Sequence, residues 1–178
     1  ANSHQGDPRN AYELAKQCFK VGADAVKFQI YFADELLVNS HSKYSHFKNQ
    51  SFSINEWNNL LSKIKKINNN IYADIFGDRA FEVAKKNKLK GIKIHSSDLT
   101  NKILIKKLKN NKIKYFLSTG GSTLDEISYA LKIFKLNKIK PILLHGYQAY
   151  PTDISDTNLN RIDKFKDIFG NNCEYGYQ

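Results

Sequence analysis

Two lysines interrupt runs that are otherwise apolar: Lys27 sits between Val26 and Phe28, and Lys93 between Ile92 and Ile94. An ammonium group in such surroundings is costly unless an anion meets it, so both are candidates for binding an anionic substrate. A desolvated lysine can also have a lowered pKa and attack a ketone, which keeps Schiff-base chemistry open for the same two residues. Other polar residues close short apolar segments in the same manner: Gln29, Asp74, His95, Ser118 and His145. Ser118 precedes Gly120 and Gly121, whose N–H groups could meet a phosphate at the start of a following helix, although Ser118 also suits the turn itself. His145, after Leu143 and Leu144, fits a hydrogen-bonded structural role as well as that of an acid, base or ligand, and His4 carries the same two readings.

The elements that must position these residues alternate along the chain. Ala25 to Tyr31, Ile71 to Phe76, Gly91 to His95, Tyr115 to Ser118, Pro141 to His145 and Cys173 to Tyr177 read as strands. Helix-period segments lie between them: Pro8 to Val21, Trp57 to Ile67, Arg79 to Asn87, Ile103 to Lys109, Leu124 to Phe134 and Leu159 to Phe169. Asp7 before Pro8 is an N-cap followed by proline at the first helical position. Ser122 or Thr123 with Glu126 forms a capping box. The first helix places Ala11, Leu14, Ala15, Cys18 and Phe19 on one face, and Cys18 and Cys173 read as core thiols rather than a disulfide or zinc pair. The stretch from Phe32 to Asn55, with His41 and His46, is an outsized connection of the kind that often covers a site.

Strands alternating with helices imply βαβ units and a parallel sheet. Polar residues at many strand ends favour a barrel whose mouth collects them, and no Gly-rich dinucleotide fingerprint follows any strand. The fold class is therefore α/β, an incomplete (β/α)8 TIM barrel with strands 2–7 and the loop after strand 1, since a closed barrel needs about 250 residues. The 178 residues form one partial barrel domain in this reading.

Hydrophobic residues make up 41% of the chain and aromatics 12%, values that argue against disorder. No apolar run is long enough to span a bilayer and the polar start Ala1 to Asn10 has no signal-peptide h-region, so the expected compartment is the cytoplasm. The net charge of +11 raises a noncatalytic, nucleic-acid-binding basic module as an alternative. Against it, only Arg9, Arg79 and Arg161 are arginines, and the lysines travel with asparagine and isoleucine in stretches such as Lys106 to Lys114. The sequence contains no methionine, and its abrupt start at Ala1 suggests a fragment.

Six strings carry a resemblance through essentially the whole chain: NSHQG at Asn2 to Gly6, GADAVKFQ at Gly22 to Gln29, IKIHSSD at Ile92 to Asp98, LSTGGSTLDEI at Leu117 to Ile127, LLHGYQAYPT at Leu143 to Thr152 and GYQ at Gly176 to Gln178. In order and spacing they resemble the sialic acid synthase family. The resemblance implies condensation of phosphoenolpyruvate with an N-acetylated hexosamine, such as N-acetylmannosamine, to a nine-carbon 2-keto acid and phosphate. It further implies a divalent metal, manganese or magnesium, acting as Lewis acid, with its ligands outside this chain. A homodimer is implied for the full-length protein, along with a C-terminal antifreeze-like domain absent from these residues.

By the same resemblance Lys27 and Lys93 contact phosphoenolpyruvate, and Ser96 and Ser118 hydrogen-bond its phosphate or carboxylate. Gln148 and Tyr150 line the substrate pocket, with Gln148 in place of an asparagine, and Asp98 stands near the amino sugar where glutamate is usual. The resemblance carries Gln29 with the substrate-binding set and His145 beside the pocket with the catalytic one. Asp74 falls where a threonine usually touches phosphate, and His95 replaces a glycine; both departures point to a different acceptor sugar. A barrel open at both ends is expected to be catalytically silent when expressed alone. The alternatives are a Schiff-base aldolase on a TIM barrel and the basic nucleic-acid-binding module.

Overall fold

The computed structural model describes residues 3–108, 113–149 and 151–178. It is an α/β fold whose described elements run α1 (Pro8–Lys20), β1 (Val26–Ile30), α2 (Ala33–Leu36), α3 (Tyr44–Gln50), α4 (Ile54–Lys65), β2 (Ile71–Ile75), α5 (Asp78–Lys86), β3 (Gly91–Ile94), α6 (Lys102–Lys107), β4 (Lys114–Ser118), α7 (Leu124–Leu136), β5 (Ile142–His145), α8 (Arg161–Phe169) and β6 (Glu174–Tyr177). Short 3-10 turns follow β3 at Ser96–Asp98, precede α8 at Ile154–Asp156 and follow α8 at Gly170–Asn172. The six strands predicted from the apolar runs are all present, each within a residue of its expected ends. Two compact units divide the chain, Ala1–Ile92 and Lys93–Gln178, with the boundary inside β3.

In the N-terminal unit β1 and β2 pair in parallel, with Lys27 beside Tyr72 and Gln29 beside Asp74. Val26, Phe28 and Ile30 alternate inward, and Phe28 meets the edge of Trp57 at 6.0 Å between ring centroids. Phe52 lies 4.8 Å from the same indole, so α4 is anchored by an aromatic cluster in which each ring contributes roughly 1.5–3 kcal/mol of burial. Helix α4 starts at Ile54, earlier than the periodicity predicts, because Ser53 and Glu56 form a capping box: Ser53 N donates to Glu56 Oε2 at 2.8 Å and Glu56 N to Ser53 Oγ at 3.2 Å. The Asp7 cap of α1 is present, accepting from Arg9 N at 2.8 Å.

Two expectations are corrected in this unit. Cys18 is exposed, not a core thiol, because α1 buries only Ala11 and Ala15 and its last turn stands clear of the core, where Val21 is also exposed. The long connection is not structureless, since it folds into α2 and α3. It is also tethered: Arg79 of α5 pairs with Asp34 and, from Nε, with Glu35 at 3.1 Å, and its guanidinium lies 4.6 Å from the Phe32 ring centroid. Glu35 also accepts from Arg79 N at 3.2 Å and so caps α5, an approach that Gly77 permits because a Cβ there would lie 2.8 Å from Glu35 Oε2. His41 and His46 are exposed on this segment.

The C-terminal unit pairs β4, β5 and β6 in parallel, with Ser118 beside Leu144 and Leu144 beside Gly176. Leu117, Ile127, Leu143 and Phe165 are buried, and Tyr115 meets Phe134 edge-on at 5.7 Å. Thr123, of the two candidates, closes the capping box of α7: Thr123 N donates to Glu126 Oε2 at 2.8 Å. Helix α8 begins two residues later than predicted because Asn158 turns the chain at φ 44° and Arg161 N donates to Asn158 O at 2.9 Å. Helix α6 ends at Lys107, and the predicted terminus Lys109 lies outside the described residues. Cys173, just before β6, is buried, and desolvation pushes its thiol above the usual range.

Candidate active site

Side chains of a strand alternate between two faces, so the residues between the buried Val26, Phe28 and Ile30 share the other one. Lys27 and Gln29 occupy that face of β1, and the register sets Tyr72 and Asp74 of β2 beside them. Lys27 is exposed, Gln29 half-buried and Asp74 only 2% exposed. One cation and one carboxylate thus lie on a single polar strip of the N-terminal unit. His4, in the loop before α1, is buried against Phe52 at 4.5 Å, and its Nδ1 accepts from Gly6 N at 3.1 Å. Burial lowers its pKa, which favours the neutral ring and a structural task in ordering that loop.

The C-terminal unit assembles a second polar group at the carboxyl ends of its strands. Lys93 Nζ donates to Gln178 Oε1 at 3.0 Å, and Gln178 Nε2 donates to Ser118 Oγ. Ser118 is fully buried, so the glutamine amide joins the lysine of β3 to a hydroxyl at the end of β4. Gln148, in the loop after β5, repeats the arrangement: its Nε2 donates to Ser96 Oγ at 3.2 Å and to Gly120 O at 3.4 Å. Both amides lie across glycines. A Cβ at Gly120 would fall 2.7 Å from Gln148 Nε2, and one at Gly146 would fall 2.9 Å from Gln178 Cγ. Thr119 fixes the turn beneath them, its N and Oγ1 both donating to Leu144 O at 3.0 and 2.9 Å.

The remaining predicted residues have other surroundings. Asp98 accepts from Asn101 Nδ2 at 3.1 Å while Asn101 Oδ1 caps α6 through Leu104 N, so this carboxylate is braced against a helix start. His145 is 4% exposed and packs between Phe165 and Tyr177 at 6.2 and 5.9 Å. Its Nε2 donates to Thr157 O at 2.7 Å, which fixes the tautomer and ties the end of β5 to the chain entering α8. The same imidazole forms a wall of a cavity of about 410 Å³ shared with Tyr147, Arg161, Lys164 and Phe165, a volume in the range of ligand pockets. His95 Nδ1 lies 3.1 Å from Ser97 Oγ, within its own turn. Tyr150 lies outside the described residues.

Gln178 is the functional candidate that residue-by-residue reading does not single out. Its signal is the GYQ string at the end of β6, which marks the position but not the contact with Lys93. Among the described residues no three of His, Cys, Asp and Glu cluster closely enough to hold a metal ion. Among them, too, no helix is long and apolar enough to cross a membrane.

Residues 14–178 match the model of the NeuB family. The chain is 34% identical over 176 residues to an uncharacterized protein of Methanocaldococcus jannaschii, covering 98% of this chain and 52% of that protein. It is 28% identical over 184 residues to the N,N'-diacetyllegionaminic acid synthase of Campylobacter jejuni subsp. jejuni, covering 94% of this chain and 55% of the relative. The crystal structure of N-acetylneuraminic acid (sialic acid) synthetase from Leptospira borgpetersenii serovar Hardjo-bovis, in complex with citrate, superposes with a TM-score of 0.86 at 28% identity, covering 98% of this chain and 60% of that one. The chain therefore spans about half the length of these sequence relatives.

Proposed function

The chain belongs to the NeuB family, and on that premise we propose that it carries part of the mouth of a (β/α)8 barrel that condenses phosphoenolpyruvate with an N-acetylated hexosamine. The products are a sialic-acid-like 2-keto acid and phosphate. The observation that supports this most is the chain of contacts from Lys93 through Gln178 to the buried Ser118, beside Ser96 with Gln148. It sets a cation and two hydroxyls at strand ends, the donor set that an anion bearing phosphate and carboxylate needs.

In this reading Lys93, Ser96 and Ser118 bind phosphoenolpyruvate, and the resemblance gives Lys27 the same role. The enol carbon attacks the sugar aldehyde, whose oxygen takes up a proton. Water adds at the carbon that bears the phosphate, and phosphate leaves with the bridging oxygen. Gln148 lines the pocket, and the resemblance adds Gln29 and Tyr150 to the substrate-binding residues. Asp98, held by Asn101, faces the amino sugar, and Asp74 contacts a sugar hydroxyl rather than phosphate, since two anions side by side repel. His145, tied to Thr157, positions the loop that carries Gln148. A manganese or magnesium ion, if the full-length protein holds one, draws on ligands other than a cluster of these residues, and a homodimer belongs to the same proposal.

The test is to incubate the full-length protein with phosphoenolpyruvate and a panel of N-acetylated hexosamines, assaying phosphate and 2-keto acid together. Equimolar release that depends on the sugar is expected. Borohydride trapping with pyruvate gives the opposing arm: a covalent adduct on Lys27 or Lys93 would replace this reading with a Schiff-base aldolase.

A further inference from the structure

We propose that Gln178 gates the oxyanion subsite: its carboxamide occupies the position between Lys93 and Ser118 that a phosphate or carboxylate group takes, and the anion enters by exchanging places with it. The inference rests on reading Lys93 as an anion-binding residue and goes beyond it by assigning selectivity to a neighbouring side chain.

Three observations carry it. The first is chemical. A primary amide can accept from an ammonium group through its oxygen while donating to a hydroxyl through its nitrogen, and Gln178 does both, to Lys93 at 3.0 Å and to Ser118. Lys93 and the Ser118 hydroxyl both keep protons to donate, but the carboxamide bridges them, so an oxyanion that is to take both must displace it. The second is spatial. The Gln178 side chain lies across Gly146, whose missing Cβ would stand 2.9 Å from Gln178 Cγ and 3.2 Å from Nε2. Glycine there leaves the side chain a bed to lie on, while the exposure of Gln178 leaves a way out. The third is energetic. The lysine–amide bond has one charged partner, whereas a lysine–oxyanion bond has two, and charge-assisted pairs of that kind are the stronger. A well-placed oxyanion therefore wins the exchange, and a weak or misplaced one does not.

The gate acts as a filter on ligands that cannot reach both Lys93 and Ser118. Because Gln178 N donates to His145 O at 3.0 Å, the backbone of the gate is fixed and only its side chain has to swing.

The experiment measures binding of inorganic phosphate, pyruvate and phosphoenolpyruvate by calorimetry to the full-length wild-type protein and to Gln178→Ala, Gln178→Glu, Gly146→Ala and Lys93→Ala. Gln178→Ala is expected to tighten phosphate about fivefold, and Gln178→Glu, which pairs permanently with Lys93, to weaken it at least about tenfold. Gly146→Ala keeps the glutamine but crowds it off its bed, and should tighten phosphate in the same direction as Gln178→Ala by a smaller factor. If phosphate tightens while pyruvate does not, the subsite takes the phosphate group; the reverse assigns it to the carboxylate. Unchanged or weaker binding of both oxyanions in Gln178→Ala and Gly146→Ala overturns the gate while leaving the anion site intact. Undiminished binding in Lys93→Ala, or none by the wild type, overturns the anion site and the gate with it.

Discussion

In the N-terminal unit Lys27, Gln29, Tyr72 and Asp74 share one face because alternate strand residues point the same way and the β1–β2 register aligns them. In the C-terminal unit two separate sets of side-chain hydrogen bonds, Lys93 with Gln178 and Ser118, and Gln148 with Ser96, link residues that start from different strand ends. The first arrangement is a property of backbone geometry and tolerates changes in its side chains. The second depends on two amides fitting across two glycines, so it is sensitive to a single methyl group.

The sharpest way to break that comparison is to remove the two charges. Lys27→Ala and Lys93→Ala in the full-length protein should each lower kcat/KM for phosphoenolpyruvate by about a hundredfold or more while circular dichroism stays unchanged, as expected for lost electrostatic stabilisation. Wild-type kinetics in both would show that neither strand lysine meets the substrate. Next in size is Asp74→Thr, which should shift preference among N-acetylated hexosamines by about tenfold with a smaller change in the KM for phosphoenolpyruvate. A large gain in phosphoenolpyruvate binding with no change of acceptor would instead make Asp74 a residue that merely opposes phosphate.

These two sets of residues also differ in how readily the sequence discloses them. Lys27 and Lys93 stand out because a strand of period two exposes an ammonium group among isoleucine, valine and phenylalanine, and the parallel strands follow from the same periodicity. The capping box at Thr123 and the N-cap at Asp7 are equally local, and both are present. The Gln178 bridge is not local: it spans 85 residues to Lys93 and 60 to Ser118, and it requires Gly146 from another strand end. Cys18 is exposed against its helical pattern for a related reason. Its helical spacing matches Ala11 and Ala15, but periodicity does not tell where a helix outruns the surface it packs on. The tether of Arg79 to Asp34 and Glu35 likewise orders a segment that composition alone leaves as a loop.

A smaller effect tests the fit of the amides. Gly120→Ala places a methyl group against the end of the Gln148 side chain, a flexible neighbour, so the fold should survive while the contact with Ser96 is lost. The expected drop in kcat/KM is about three- to tenfold, the worth of one hydrogen bond. No change would mean that Gln148 does not hold the substrate-facing geometry.

The smallest effect concerns stability outside the site. Helices α5 and α7 are each followed, just past an asparagine C-cap, by a lysine in the left-handed region, Lys88 at φ 49° and Lys138 at φ 56°, and in each case the next residue donates back across the turn, Leu89 N to Ala84 O and Ile139 N to Phe134 O. Lys88→Gly and Lys138→Gly should each raise stability by about 0.5–1 kcal/mol in urea unfolding, since glycine meets no Cβ penalty there. Activity should stay the same, because neither residue belongs to the polar groups compared above.

The chemistry itself is tested most directly by following the bridging oxygen of phosphoenolpyruvate. With that oxygen labelled as oxygen-18, and with the full-length protein and its preferred N-acetylated hexosamine, the account predicts that all of the label leaves in inorganic phosphate, as water supplies the new keto oxygen of the sugar acid. Label retained in the sugar acid before exchange with solvent, or product formed from pyruvate with no phosphate released, would contradict it.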